Sequence, residues 1–525
     1  MSNGERTISA ARPPEVAPGE RMPIRIGSAE EFSRVRDFLR AAGFDENAVL
    51  AALKISDLSQ IPEADTASVD TGSGSPALLA LIDLLVLGNV IAADDFRARC
   101  GDAALAAFTA LDLIRDAHDF PPLEKLAAGS IVCPVWLYPV DRFFIMSDRR
   151  TDLKDNASRL GTEVVFPAHD FGTLQLLRLL PPSIGSGNAL DLCGGSGIGA
   201  LHLARSGMSA TTADITARST YFAAFNARLN GIEIEVVRGD LYSPIADRRF
   251  DVICAHPPWV PSSGDAMVFR DGGETGEAIV QRVFCEMPHH LRDHGTAVVV
   301  SLGRDGNDGR YENRVRRWLG EEGRDCDVIL GVDKMLSIDD VVGSVRRLHL
   351  ENDAAKAERM AARFRELGTR HFVYGAVFVR RTGAEVTEPP LRLRMSSRAT
   401  ADDFERVFAW RRYRRRADFA DWLAEARPRL SPQLEANVRY VVREGTMVAD
   451  STVFSVGRPL SATVQPDVWT ARLLEQLKGE QTVVRTFDAA RQSAQVPAEF
   501  TLPMFVDLVG KMIERGFLEI ELPAW

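Results

Sequence analysis

Between residues 189 and 260 four apolar, strand-like runs each end on a polar or aromatic group, and this regularity constrains the fold more than any other feature. The first run ends at Asp191 and turns through Gly194, Gly195 and Gly197 into a helix with periodic Ile198, Leu201, Leu203 and Ala204. The second ends at Asp214, the third leads to Asp240, and the fourth, Phe250 to Ala255, stops at His256, Pro257, Pro258 and Trp259. Strands alternating with helices predict a parallel sheet, with a ligand site along its carboxyl edge.

The glycines allow a tight turn and close approach of a ligand, while free N–H groups at the next helix start favour an anionic group. Two cofactors satisfy the loop by itself. A dinucleotide fits because Gly195, Gly197 and Ala200 keep the G-x-G-x-x-G/A spacing and Asp214 follows at ribose distance. S-adenosylmethionine fits because its carboxylate and ammonium would sit at the loop and its ribose at Asp214. The surroundings favour the second: Asp191 precedes the glycines, where an acid can face an ammonium, and Asp240 suits an adenine amino group. Two consecutive prolines lock an extended loop without N–H donors, leaving neighbouring carbonyls to accept from a substrate.

The run DLCGGSG resembles the D-x-G-x-G-x-G motif of class I S-adenosylmethionine-dependent methyltransferases, with Cys193 where the first glycine usually stands. AHPPWVP resembles the N-P-P-Y loop of the HemK-like branch, which includes glutamine N5-methyltransferases, and FRDGGETGEAIVQRVFCEMPHHLRDHGTAVVVS resembles that branch's G-G-x-x-G helix and fifth strand. The resemblance covers residues 161 to 385 and implies S-adenosylmethionine as cofactor. It implies contacts from Asp191, Cys193, Gly195, Gly197, Asp214, Ile215, Asp240, Leu241 and His256, with His256, Pro257 and Trp259 as the catalytic corner. Pro258, Arg270 and Phe171 would face substrate.

The branch has Asn where this chain has His256, and imidazole cannot present an amide's paired donor and acceptor on one planar group. The expected acceptor is therefore a nitrogen of a small metabolite or amino-acid-like molecule, with His256 taking its proton or orienting it. The alternatives are a glutamine-like protein side chain and a non-catalytic cofactor-binding scaffold. Nicotinamide binding would restore the dehydrogenase reading.

The expected architecture is α/β: a seven-stranded Rossmann-like methyltransferase sheet, a helical, winged-helix-like N-terminal domain and a C-terminal α+β domain. Residues 1–24, rich in Pro, Gly and charge, read as a flexible leader. Residues 25–128 read as the helical domain, 129–160 as a β-hairpin linker, 161–385 as the catalytic domain with an insertion at 334–370, and 386–525 as a winged-helix-like accessory domain suited to packing or dimer formation. Helices are expected over 28–42, 46–52, 76–86, 103–113, 166–180, 277–291 and 401–426, and later strands over 296–302, 328–332 and 372–379. Residues 261–276 read as a lid over substrate.

Six scattered cysteines without a C-x-x-C pair suit a reducing, cytoplasmic compartment, and no metal motif is present. A formal net charge of −10 argues against broad phosphate contact. The one basic stretch, Arg411, Arg412, Arg414, Arg415 and Arg416 around Tyr413, reads first as a solvated or salt-bridged face. No apolar run is long enough to span a bilayer.

Overall fold

Short β-branched and apolar runs alternate with helices through the middle of the chain, and in the computed structural model they form parallel strands with helical crossovers. The structure describes residues 22–63, 72, 74–120, 127–149, 163–181, 185–262, 267–349, 354–457 and 459–522. These divide into one unit running to Cys326 with Leu336–Phe372 and Arg381–Val386, and a second made of Asp327–Met335, Val373–Arg380 and the chain from Thr387 onward. The expected leader, 1–24, lies almost wholly outside the described residues.

The first unit begins with helices Ala29–Ala41 and Glu46–Leu53. Ser28 and Glu31 form a reciprocal cap at the start of the former, which satisfies N–H groups that the helix itself cannot. Helix Pro76–Leu81 passes into a wider turn over Ile82–Val86 and stops before Gly88, where φ is +71°. Helices Ala93–Cys100 and Asp102–Ala110 follow. Short strands β1 (Ile91–Ala92), β2 (Arg115–Asp116) and β3 (Ser130–Val132) form an antiparallel sheet in the order β1-β3-β2. Of the expected hairpin linker over 129–160, β3 belongs to that small sheet and residues 150–162 lie outside the described residues. Only β4 (Trp136–Val140) and β5 (Phe143–Ser147) pair across a tight turn, with Asp141 and Arg142 both at positive φ.

Five strands carry the site: β6 (Asn188–Leu192), β7 (Ser209–Asp214), β8 (Glu235–Arg238), β9 (Phe250–Ala255) and β10 (Leu291–Asp305). They pair in parallel in the order β10-β9-β6-β7-β8. Chain direction across the sheet reverses between β6 and β9, which opens a crevice at their carboxyl ends. Their side chains are apolar on both faces because helices cover both; Leu190, Leu192, Val252, Ile253 and Val299 are all buried. The 334–370 insertion contains helices Ile338–His349 and Ala354–Glu366.

The second unit contains β11 (Cys326–Leu336), β12 (His371–Arg381), β13 (Leu391–Met395), β14 (Arg429–Leu430), β15 (Leu434–Arg443), β16 (Thr446–Val456), β17 (Leu460–Val464) and β18 (Leu518–Glu519). Six of these run in the order β15-β16-β17-β13-β11-β12, while β14 pairs with β18. The helix expected over 401–426 is two, Ala401–Arg414 and Phe419–Glu425. With the helices Val468–Leu474, Val483–Gln492 and Leu502–Glu514 they enclose a core around Trp410, Phe454, Leu474, Phe487 and Phe505.

The arginine cluster is an internal ion-pair network of this unit. Arg411 Nε donates to both Asp327 oxygens at 3.0 Å, Arg415 pairs with Asp327 and Glu388, and Arg414 with Glu514. Tyr413 and Trp410 are buried.

Candidate active site at the carboxyl ends of β6 to β9

Asp191 lies beneath the glycine loop with 3 % of its surface exposed. Its carboxylate accepts from the Ala200 N–H at 3.1 Å and meets the Thr212 hydroxyl at 3.4 Å and the Cys254 thiol at 3.5 Å. Burial pushes its carboxyl up to about 6, against the pull of those donors. The glycines above it have specific causes. A Cβ on Gly194 would come within 2.0 Å of Thr212 Oγ1, and one on Gly199 within 2.7 Å of Asp191 Oδ1. Gly197 adopts φ +78° as the residue before helix Ile198–Arg205, and its missing side chain leaves room for Ala223. Cys193, the departure from the usual glycine, itself takes φ +57°, the left-handed conformation that glycine adopts more readily. Burial raises its thiol far above the ordinary range, so it stays protonated.

Asp214 ends β7 and ties the loop to the next crossover: one oxygen accepts from Gly195 N–H and the other from Thr216 N–H, both at 3.0 Å. Burial raises its carboxyl as well. Beside it Ile215 is 49 % exposed, an apolar surface open at the strand end. Asp240 is exposed and held by Arg282 at 2.8 and 3.2 Å, with lone pairs left for a further donor. Leu241 follows, buried, at φ +49°.

His256 is half-buried after β9, and the Trp259 indole N–H donates to its Nε2 at 3.3 Å. Indole has no acceptor, so Nε2 is the bare nitrogen and Nδ1 carries the proton. Burial holds the imidazole below its usual range, with the charge of Asp170 pulling the other way. The ring is therefore a neutral Nδ1–H donor. In this structure its one lone pair is engaged by the Trp259 indole. Among the described residues no backbone N–H donates to the Pro257 or Pro258 carbonyl.

The expected lid is folded back wherever it is described. Val260 N–H donates to the Arg270 carbonyl at 2.8 Å, Gly272 N–H to the Val260 carbonyl at 2.9 Å and Ser262 N–H to the Gly273 carbonyl at 3.0 Å. Asp271 accepts from Ser262 Oγ and Gly273 N–H. Residues 263–266 lie outside the described residues. The loop's far end is anchored by buried Glu277, which pairs with Arg304 and Arg314. Arg270 is half-buried, its neighbour Phe269 stacking on Phe166, and Phe171 opens helix Phe171–Leu179 next to Asp170.

Residues outside the expected set complete the site. Asp170 caps that helix through Gly172 N–H and is the charge nearest in effect to His256. Asn226 is fully buried: it accepts from Met146 N–H at 2.9 Å and donates to the Ser196 carbonyl at 2.9 Å, fastening the glycine loop to β5. Arg218 pairs with buried Asp148, which also accepts from Val165 N–H. Asn226 and Arg218 are polar residues of one crossover helix, and these partners lie 30 to 80 residues away.

A switch-point crevice with an acid at three successive strand ends, a glycine loop and a double-proline corner defines a class I S-adenosylmethionine-dependent methyltransferase domain. Residues 163–314 match the family described as a methyltransferase small domain. A ribosomal protein uL3 glutamine methyltransferase from Bradyrhizobium diazoefficiens is 33 % identical over 154 residues, 26 % of this chain and 48 % of the relative. A putative protein N5-glutamine methyltransferase from Methanocaldococcus jannaschii is 28 % identical over 28 % of this chain and 77 % of its own length. A release factor glutamine methyltransferase from Gloeobacter violaceus is 26 % identical over 27 % of this chain and 58 % of its own. The chain thus spans about half the length of the first. No helix among the described residues is long and apolar enough to cross a membrane.

Proposed function

We propose that this chain methylates a side-chain amide nitrogen of a protein, with S-adenosylmethionine as donor. The crevice suits that donor: Asp191 lies below the loop for the ammonium, Asp214 serves the ribose, Asp240 the adenine amino group, and exposed Ile215 with Leu241 the adenine faces. When bound, it supplies a methyl group activated as a sulfonium and leaves as the thioether.

The observation that carries the acceptor is the Trp259–His256 hydrogen bond. It leaves Nδ1–H to donate to an amide oxygen, while a proline-loop carbonyl accepts from the amide N–H. Donor and acceptor come from two neighbouring residues, so the exchange of Asn for His256 no longer counts against a planar amide. The loop carbonyl draws the N–H proton and raises electron density on a nitrogen whose lone pair is otherwise delocalised. The imidazole fixes the plane in which that nitrogen faces the methyl group, and the prolines keep donors off the corner. As the C–N bond forms, the nitrogen's proton passes to water. The relatives' glutamine specificity supports this acceptor over a small metabolite. The helices and three-stranded antiparallel sheet before the domain support a winged-helix-like reading of residues 25–128 as a substrate-shaping module.

Incubating the chain with methyl-labelled donor and cell extract tests the proposal. Label should enter protein and be released by acid hydrolysis as methylamine, the product of an N-methyl amide. Label confined to small molecules, or to acid-stable methylamino side chains, would defeat it.

A further inference from the structure

We propose that the second unit carries a phosphate-binding site on β13 and β17 for a ligand of nucleotide size. A cavity of about 280 Å³ there is lined by Arg392, Arg394 and Arg515, the hydroxyl residues Ser461 and Thr463, and apolar Val332 and Met335. Arg394 pairs in register with Ser461 across the antiparallel β13–β17 ladder. Arg392 stands two residues before Arg394, and Thr463 two after Ser461, so strand alternation sets all four on one face of the pleat. Arg515 directly follows helix Leu502–Glu514 and closes the cavity from another element.

No carboxylate lines this cavity, although the chain carries 73 acidic residues against 63 basic ones. The contrast with the nearby helix is informative, since Arg411, Arg414 and Arg415 there are matched to Asp327, Glu514 and Glu388. Arg394 and Arg515 have no carboxylate partner among the described residues. Guanidinium groups with hydroxyls on a concave face match the donor needs of a phosphate group, which accepts in a fork geometry from arginine. The volume is at the lower end for small-molecule pockets, room for one phosphorylated sugar and base rather than a length of polymer. Val332 and exposed Met335 give the uncharged part an apolar wall.

The test is calorimetric titration of the full chain, saturated with S-adenosylhomocysteine so that its nucleoside site is filled. The probes are uridine 5′-monophosphate, uridine, inorganic phosphate and a single-stranded RNA oligonucleotide. The monophosphate should bind at least tenfold more tightly than uridine, and weaken as salt rises. R394A/R515A should lose at least tenfold in that affinity while S-adenosylmethionine binding and thermal unfolding stay unchanged, and R394K should retain most of it. Inorganic phosphate binding as tightly as the nucleotide, or RNA binding more tightly than it, would overturn the assignment of a ligand of nucleotide size. Uridine matching the monophosphate, no binding by any phosphate probe, or a double variant that binds as before would overturn it.

Discussion

The elevated carboxyl of Asp191 predicts how donor affinity depends on pH. Burial pushes this group up to about 6 against the pull of its three donors. A bound ammonium would stabilise its ionised form and return it toward the ordinary carboxylate range, so binding below pH 6 must expel a proton. Between pH 7 and pH 5 the ionised share of the free site falls from about nine-tenths to about one-tenth, which weakens affinity about tenfold, or ~1.4 kcal/mol. Burial has a matching effect on stability. Because the folded-state value lies above the ordinary carboxylate value of 3.8, the folded protein binds more protons than the unfolded chain between these values. Stability from this residue therefore falls as pH rises from about 4 to 6, by ~3 kcal/mol in all. Asp191→Asn removes the titration. Calorimetry with S-adenosylmethionine across pH 5 to 8 should show the tenfold slope in the natural protein, and weak, flat binding in the variant. A flat profile in the natural protein, or the same slope retained in Asp191→Asn, would show that this carboxylate only supports the loop.

Since burial lowers the His256 pKa, the neutral ring should persist below its usual 6.5, and kcat/KM should hold level from pH 9 down past that value before falling; an acid limb above 6.5 would contradict the assignment. Trp259→Phe should keep donor affinity and lower kcat by releasing the tautomer, and unchanged kcat would remove that role. Gly197→Ala places a side chain at φ +78° with its Cβ 2.8 Å from that of Ala223. The left-handed conformation alone costs ~1–2 kcal/mol, so both thermal stability and donor binding should drop. Asp327→Ala removes the carboxylate shared by buried Arg411 and neighbouring Arg415, leaving them only Glu514 and Glu388, and should cost up to ~3–5 kcal/mol in denaturant titration, where a loss below ~1 kcal/mol would mean a solvated pair.

The strand ends, the glycine loop and the double-proline corner were legible because each is a local pattern, an apolar run closed by a short polar signal. The ends of helix Ala29–Ala41 followed likewise from Ser28 and the spacing of Phe32, Val35 and Leu39. What escaped depends on approach across the fold. Asn226 reads as an ordinary helix residue until the Ser196 carbonyl, 30 positions earlier, is seen against it. The arginine cluster meets Asp327 from 84 residues away, so its partner could not be read locally. The sequence left His256 as base or orienter because its type allows both, and the indole that donates to its Nε2 is seen only in the fold. The bonds within the loop were hidden for a related reason, since a glycine-rich sequence does not reveal that Asp271 and Val260 tie its ends together.

The most direct test is a crystal structure of the chain with S-adenosylhomocysteine. The account predicts the amino-acid end at Gly194 to Gly197, the ribose at Asp214, the adenine between Ile215 and Leu241 with its amino group at Asp240, and sulfur aimed at His256 and the two prolines. A ligand bound elsewhere, or sulfur turned away from that corner, would contradict it.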